Sequence, residues 1–337
     1  MRRSIAVALL AVAAAAAGCG KTEVVREKPV TVTQGEAAGS AAGTRPGGGT
    51  RIAVVTHGQA SSPFWAIVRN GVEAAGRQMD AVVTYRAPDT YSVEKMAELV
   101  DDAIAAKPDG LVVSIPEPAV APAVQRAIRA GLPVVSINSG SDVGLRLGVL
   151  AHVGQPEEGA GRGAGERLAR AGVRRALCVN QQIGNVGLDA RCRGLARAMR
   201  AAGGSSTVLS VDDQDPGTPA RLAEAIDRRR IDGVLTLNST AAALALEAKG
   251  KATRAGALQV ATFDLGPEVL QALKAGKLLF AVDQQAYLQG YLPVVLLVQR
   301  ARYGLFPAQG DVIPTGPNFV TKPDAGKVIA LSERSIR

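Results

Sequence analysis

From Arg51 onward the chain alternates short Val/Ile/Leu runs with longer segments whose apolar residues return every three or four positions. "RIAVVT", "AVVTY", "GLVVSI" and "PVVSIN" read as strands, and "FWAIVRNGVEAAGRQM", "VEKMAELVDDAIAA" and "AVAPAVQRAIRA" between them read as helices. Unbroken β-branched runs separated by amphipathic helices are the signature of parallel strands buried on both faces. "LGVLAHVGQ" reads as one more strand leading into a Gly-rich segment, and then the series restarts. "ALCVN", a helix from about Gly187, "TVLSV", a helix over "PARLAEAIDRR", "GVLTLN", a helix over "TAAALALEAK", "LQVATFD", a helix over "PEVLQALKAG" and "LLFAVD" repeat the pattern. A last helix, "YLQGYLPVVLLVQRARYG", precedes a short tail containing "DVIPTGPNFV". The expected fold class is α/β, two doubly wound parallel-sheet lobes. With 337 residues, 47% of them apolar, the chain can fill two cores without staples.

The N-terminus follows another rule. "MRRSIAVALLAVAAAAAGCG" has a basic head at Arg2 and Arg3, an apolar run from Ile5 to Ala17 too short to span a bilayer, and small residues before Cys19. Residues 1–18 are expected to be a signal peptide. Small residues directly before a cysteine match a lipobox, with Ala16 where Leu is usual, so Cys19 is the expected lipidation site. The alternative is an ordinary signal with a chance cysteine. Residues 19–50, rich in Gly, Ala, Ser, Thr and charge, read as a lipid-anchored flexible tether. The expected location is extracytoplasmic, with membrane contact through the lipid alone.

The net charge is +9, of which Arg2 and Arg3 supply two. The other arginines are scattered, as in "ARCRGLARAMR" and "IDRRRID", without a basic stripe interleaved with aromatics, so no nucleic-acid partner is expected. His57 and His152 are the only histidines and lie far apart, and no metal-ligand spacing is visible. In an exported chain Cys178 and Cys192 can form a bridge or remain two small buried thiols; both readings stay open.

In open α/β sheets ligands sit beyond the carboxyl ends of the strands. There the sequence places His57, Ser62, Phe64 and Trp65; Asn138 and Ser139; Asn180, Gln181 and, further on, Arg191; Asp212 and Asp213; Asn238; Asp264; and Asp283 with Gln284. Any one Asn or Asp there could simply cap the next helix. Together they describe a cleft rimmed by amides, carboxylates, one guanidinium and two aromatic rings. Such a set suits a neutral polyhydroxyl ligand, whose hydroxyls both donate and accept and whose C–H face an aromatic ring can cover. Phe64 and Trp65 are notable because only 3% of the chain is aromatic. One of the two could instead turn into the core.

The segments "SSPFWAIVRNGVEAA", "DGLVVSIP", "GLPVVSINSG", "HVGQPEEGAGRGAG", "ARCRGL", "GVLTLN", "ATFDLG" and "AVDQQAYLQGYLPV", in this order, resemble the type I periplasmic sugar-binding proteins of the ribose- and galactose-binding group that serve ABC importers. The resemblance covers essentially everything after the tether. It implies that Phe64 and Trp65 cover a sugar ring, and that Arg191 (in an Arg-x-x-Gly turn before Gly194), Asn238, Asp264 and Gln284 hydrogen-bond it. The candidate ligand set is therefore His57, Ser62, Phe64, Trp65, Asn138, Arg191, Asp212, Asn238, Asp264 and Gln284. Three departures speak against ribose itself: Asn138-Ser139 replaces an Asp-Arg pair, His57 replaces a small polar residue, and no aromatic stands near Asp212 and Asp213. The resemblance also implies a hinge crossed near Ala151–Val153, near Asp283–Gln284 and in the C-terminal tail. The lobes would then be 51–151 plus about 285–310, and 152–284 plus about 311–337. It implies a monomer whose closed form docks on ABC permease subunits.

Other classes have less support. "GAGRGA" from Gly159 to Ala164 matches a dinucleotide fingerprint, but Glu157 and Glu158 precede it and no acid ends the next strand. Small residues there are expected to let a helix pack closely on the sheet, and no cofactor is expected. No nucleophile elbow, Ser/His/Asp set or phosphate loop is visible, so an enzyme is not expected. A sensory role for the same binding fold stays open, and a repressor would need a DNA-binding module where the signal and tether stand.

Overall fold

The computed structural model describes residues 49–58, 62–253, 256, 258–307, 310–332 and 336. The signal segment, Cys19 and all but the end of the expected tether lie outside the described residues.

In chain order the first run is β1 (Arg51–Val55), α1 (Pro63–Gln78), β2 (Val82–Arg86), α2 (Val93–Ala105), β3 (Gly110–Ser114), α3 (Ala121–Arg129), β4 (Val134–Ile137), α4 (Ser141–Leu147) and β5 (Ala151–Gly154). The second is α5 (Glu157–Arg170), β6 (Arg175–Asn180), α6 (Val186–Ala201), β7 (Ser205–Ser210), α7 (Thr218–Arg228), β8 (Gly233–Thr236), α8 (Ser239–Lys251), β9 (Gln259–Phe263), α9 (Pro267–Lys274) and β10 (Ala281–Asp283). The chain closes with α10 (Ala286–Tyr303), β11 (Asp311–Pro314), β12 (Asn318–Val320) and α11 (Lys322–Ser332).

Two sheets result, ordered β2-β1-β3-β4-β5-β11 and β7-β6-β8-β9-β10-β12. Each begins with the same 2-1-3-4-5 winding, so the second lobe repeats the first. All pairings are parallel except β10 with β12, which is antiparallel. The expected lobe boundary shifts. β5 pairs with β4 and β11, which places Ala151–Gly154 and Asp311–Pro314 in the first sheet rather than the second lobe. The crossings fall at Gln155–Pro156, Gln284–Gln285 and Thr315–Pro317. The short tail strands carry too few residues to show a period, which is why the sequence hid their partners.

The strand patterns work as the alternation requires. Ile52, Val54, Val112 and Val135 pack with Val68 and Val72 of α1 and with Val294, Leu297 and Val298 of α10. Their neighbours Ala53, Val55, Leu111, Val113 and Val134 face the other way, onto Met96 and Val100 of α2 and Ala123, Val124 and Ala127 of α3. Both faces of each sheet are thus apolar, as parallel strands demand.

The Gly-rich segment differs from its expectation. It forms α5, and its small residues open a crossing with α6 rather than with the sheet: a Cβ on Gly161 would lie 2.0 Å from Arg191 O, and one on Gly194 2.1 Å from Glu158 O. The first lobe repeats the device where α1 crosses α10 at Gly71 and Gly290. "LGVLAHVGQ" also divides. Leu147 ends α4, Gly148 turns the chain at φ +92°, and only Ala151–Gly154 is strand. Cys178 and Cys192 are bridged, with Cα atoms 5.8 Å apart. Cys178 lies inside β6 and Cys192 in the second turn of α6, so the bridge pins that helix to the sheet beneath it.

Candidate functional site

The carboxyl ends of both sheets meet around Gln284, the residue that follows β10 and begins a crossing back to the first lobe. Its Oε1 accepts from Asn138 Nδ2 at 3.3 Å, Gln289 Nε2 at 3.0 Å and Arg191 Nη2 at 3.4 Å. Its Nε2 donates to Asp264 Oδ1 at 2.6 Å. Asn138 follows β4 and Asp264 follows β9, the equivalent place in the other lobe. Both have left-handed backbone, φ +61° and +67°. Asn and Asp are the non-glycine residues that enter this region most readily, and it turns both side chains back toward the crossing.

Gln289, one turn into α10, braces this centre. Its Nε2 also donates to Gln284 O at 3.1 Å and Thr315 Oγ1 at 3.2 Å, and its Oε1 accepts from Asn138 Nδ2 at 3.2 Å. One fully buried amide therefore ties two crossings to the end of β4.

Arg191, in the second turn of α6, is 2% exposed. Its Nε and Nη2 donate to the two carboxylate oxygens of Glu157 at 2.6 and 2.9 Å, Nη1 donates to Leu237 O at 3.3 Å, and the guanidinium lies 4.4 Å over the Phe263 ring. Burial opposes the charge of Arg191; the Glu157 carboxylate more than restores it and holds the guanidinium protonated. Glu157 is the first residue of α5, where the helix N-terminus favours an anion, and Gln155 Nε2 donates to it at 2.8 Å. Burial pushes Asp264 up to about 6, against the pull of Arg191 and the Gln284 amide; the Glu157 and Asp283 carboxylates add to the rise.

The opposite wall comes from the first lobe. His57 is buried, with Nδ1 2.8 Å from Ser114 Oγ and Nε2 3.5 Å from Asn185 Nδ2. Asn185 Oδ1 caps α6 by accepting from the Gly187 and Leu188 N–H groups and also accepts from Ser139 Oγ at 3.0 Å. That arrangement turns its amide NH₂ toward His57, so the neutral ring with Nε2 as acceptor fits. Burial depresses His57 to about 3. Val186 N–H donates to Pro116 O at 2.8 Å, so α6 of the second lobe rests directly on the first-lobe loop after β3. The lobes are closed on one another. The cavity between Phe64, Ile67, Asp264, Leu265, Asp283, Gln284 and Ala286 is about 10 Å³, room for about one water. A roomier groove of about 110 Å³ lies on the outer side of β1 and β2 beside α2, lined mostly by aliphatic groups with Arg51, Arg86 and Asp102.

The expected residues divide accordingly. Asn138, Arg191, Asp264 and Gln284 form one hydrogen-bonded cluster. His57 stands on the facing wall, and Phe64 borders the cavity. Trp65 turns inward: it packs with the core under β1, its edge against His57 at 4.8 Å and Phe64 at 5.1 Å. Asn238 caps α8 through Ala241 N–H and donates to Asp213 Oδ2 at 2.8 Å. Asp212 is exposed and closes its own turn through Gln214 N–H, while Asp213 accepts from Asn238. Ser62 precedes α1 without a side-chain capping bond. Glu157, Asn185 and Gln289 were not among the expected residues. The one signal for Glu157 was an acid standing before the small-residue run, and Asn185 looked like any cap.

The inventory is one of planar amides, three carboxylates, one guanidinium and a half-buried aromatic ring. The serines paired with the two histidines, Ser114 with His57 and Ser136 with His152, are fully buried. Neither imidazole has a carboxylate on its second nitrogen, which a proton relay through it would use. Among the described residues no group of three His, Cys, Asp or Glu is placed to hold a metal ion.

A family model described as a periplasmic binding protein domain matches residues 52–304. The fold is similar to that of a carbohydrate transporter from Acidothermus cellulolyticus 11B solved with myo-inositol: 36% identity, TM-score 0.80, 86% of this chain and 100% of that one. It is also similar to a periplasmic sugar-binding protein of an ABC sugar transporter from Legionella pneumophila, with 25% identity, TM-score 0.73, and 79% and 99% of the two chains covered. A xylose/arabinose-binding protein of Sulfolobus acidocaldarius is 24% identical over 289 residues, 80% of this chain and 71% of that protein.

Proposed function

Because the chain belongs to the periplasmic binding protein family, we propose that it captures a neutral monosaccharide or cyclic polyol between its lobes and delivers it to an ABC importer. The observation that carries this reading is the Gln284 cluster, in which first-lobe Asn138 and second-lobe Arg191 and Asp264 converge on one crossing residue. A ligand there touches both lobes, and only such a ligand can favour the closed state. The carbohydrate transporter from Acidothermus, with its bound myo-inositol, supports a ring of hydroxyls as the ligand class.

Phe64 covers the C–H face, Asp264 and Asn138 accept from and donate to hydroxyls, Arg191 donates, and His57 with Asn185 closes the far wall. Asp213 with Asn238 forms the rim. The cavity is tight when closed, so entry requires the lobes to part at the three crossings. The protein binds and releases without chemistry. It works outside the cytoplasm, and lipidation at Cys19 holds it at a membrane as a monomer that presents its closed form to the permease.

Isothermal titration with myo-inositol, pentoses, hexoses and leucine as control tests this. Saturable binding of one sugar or polyol is expected, lost at least about tenfold in Asp264→Ala and in Phe64→Ala, as buried polar and aromatic contacts of this kind predict. Binding of leucine with silence across every sugar and polyol would sink the reading.

A further inference from the structure

The polyol reading leaves Glu157 unassigned, yet it is the strongest partner in the cluster. Arg191 carries five N–H donors. Nε and one Nη2 hydrogen go to Glu157, the second Nη2 hydrogen to Gln284, and one Nη1 hydrogen to Leu237 O. One Nη1 hydrogen is left for a ligand. That is enough for a single hydroxyl oxygen and too few for the two parallel bonds by which a guanidinium grips a carboxylate. The charges agree with the donors. Glu157 neutralises Arg191, and Asp264, 7% exposed, adds a carboxylate with no cation of its own.

Resting on the polyol-binding reading, we propose that Glu157 sets the charge specificity of the cleft: by occupying Arg191 it makes the site accept uncharged polyhydroxyl ligands and reject sugar acids. A hydroxyl can donate to Asp264 and accept from the last Arg191 hydrogen. A ligand carboxylate can only accept, would find one hydrogen of the guanidinium, and would lie among three buried carboxylates, Glu157, Asp264 and Asp283. Without Glu157 the same guanidinium would offer its fork to an anion.

The test is titration calorimetry on the purified full-length protein at neutral pH. The neutral sugars D-galactose and D-glucose are paired with their own uronates, D-galacturonate and D-glucuronate, and the neutral cyclitol myo-inositol is compared with both uronates. For whichever neutral sugar binds, its uronate is expected to bind at least about 100-fold more weakly, the scale of a like-charge contact in a desolvated site. Glu157→Gln is expected to narrow that ratio at least about tenfold. Glu157→Asp, which keeps the charge, is expected to retain the rejection. A uronate bound within about threefold of its neutral parent by the unmodified protein overturns the proposal, and this arm needs no variant to fold. An unchanged ratio in Glu157→Gln also overturns it, since the rejection would then lie elsewhere. If neither neutral nor acidic sugars bind, the polyol reading itself has failed, which is a different outcome from neutral and acidic sugars binding alike.

Discussion

Both histidines of the chain are buried and neutral in the fold, which gives its acid sensitivity a simple origin. Burial lowers His57 from 6.5 to about 3; it also lowers His152 to about 4, against a small opposing contribution from the Asn138 backbone. A depressed folded value means that the unfolded chain binds the proton first. The stability each histidine permits is therefore complete above pH 6.5 and is lost as the pH falls toward 3 for His57 and 4 for His152. At pH 5 the gap is roughly 1.5 units of unfolded-state protonation, so each costs about 2 kcal/mol. Asp264 acts in the opposite sense. Raised to about 6, it takes up its proton in the folded state first and returns about 1 kcal/mol over the same interval. The net expectation from pH 7 to pH 5 is a loss of about 3 kcal/mol, a fall in Tm of roughly 5 °C for a chain of this size. The assay is a thermal melt across this range for the unmodified protein and His57→Gln. The variant should lose less than half as much as the parent, whatever its starting stability. In NMR, the imidazole Cε1–H signals of the folded parent should stay at neutral positions at pH 5. A parent Tm flat to within a degree, a variant falling as steeply as its parent, or an imidazole titrating near pH 6.5 in the fold would refute the reasoning.

Three further outcomes are expected. Gly161→Ala should destabilise the protein by about 3 kcal/mol and weaken ligand binding, because the new Cβ lies 2.0 Å from Arg191 O and must push α6 and its guanidinium aside; denaturant unfolding and calorimetry read the two effects. Gln289→Leu should leave the Thr315 hydroxyl, Gln284 and Asn138 short of partners, cost about 2 kcal/mol, and speed amide exchange at both crossings, which hydrogen-exchange mass spectrometry resolves. Reducing the Cys178–Cys192 bridge, a sequence separation of 14, should cost about 3 kcal/mol in the chain-entropy picture, measured by urea unfolding with and without reductant.

The central strands and most helices were legible because those Val/Ile runs are apolar on both faces, as a parallel sheet between helix layers requires, whereas the edge strands β2 and β7 are largely exposed. The cluster members at strand ends were legible for the same reason: position after a strand is a topological fact. Partnership was less so. Asp212 and Asp213 are equivalent in sequence, and only the fold shows Asp212 closing a turn while Asp213 meets Asn238. The Arg191–Glu157 pair joins residues 34 apart in the chain, which nothing local announces. The lobe boundary was misjudged because β11 carries four residues and earns its place only by pairing with β5.

The two lobes repeat one topology but divide the chemistry unequally. Among the described residues every buried charged side chain, Glu157, Arg191, Asp264 and Asp283, belongs to the second lobe. The first lobe brings neutral groups to the same place: the Asn138 and Gln289 amides, the neutral His57 ring and Phe64. Closure therefore lowers an uncharged lid onto a charged floor. Parting the lobes returns those charges to water, which favours the open form by relieving their desolvation. Closing them requires hydrogen bonds that replace that water, and the protein partners supply only some: one Arg191 hydrogen and the remaining lone pairs of Asp264 are left to a ligand. A ring of hydroxyls meets that need from both sides at once. An apolar ligand of the same size would leave the floor desolvated and unpaired, and on this argument it would hold the lobes together far less well however closely it fitted against Phe64.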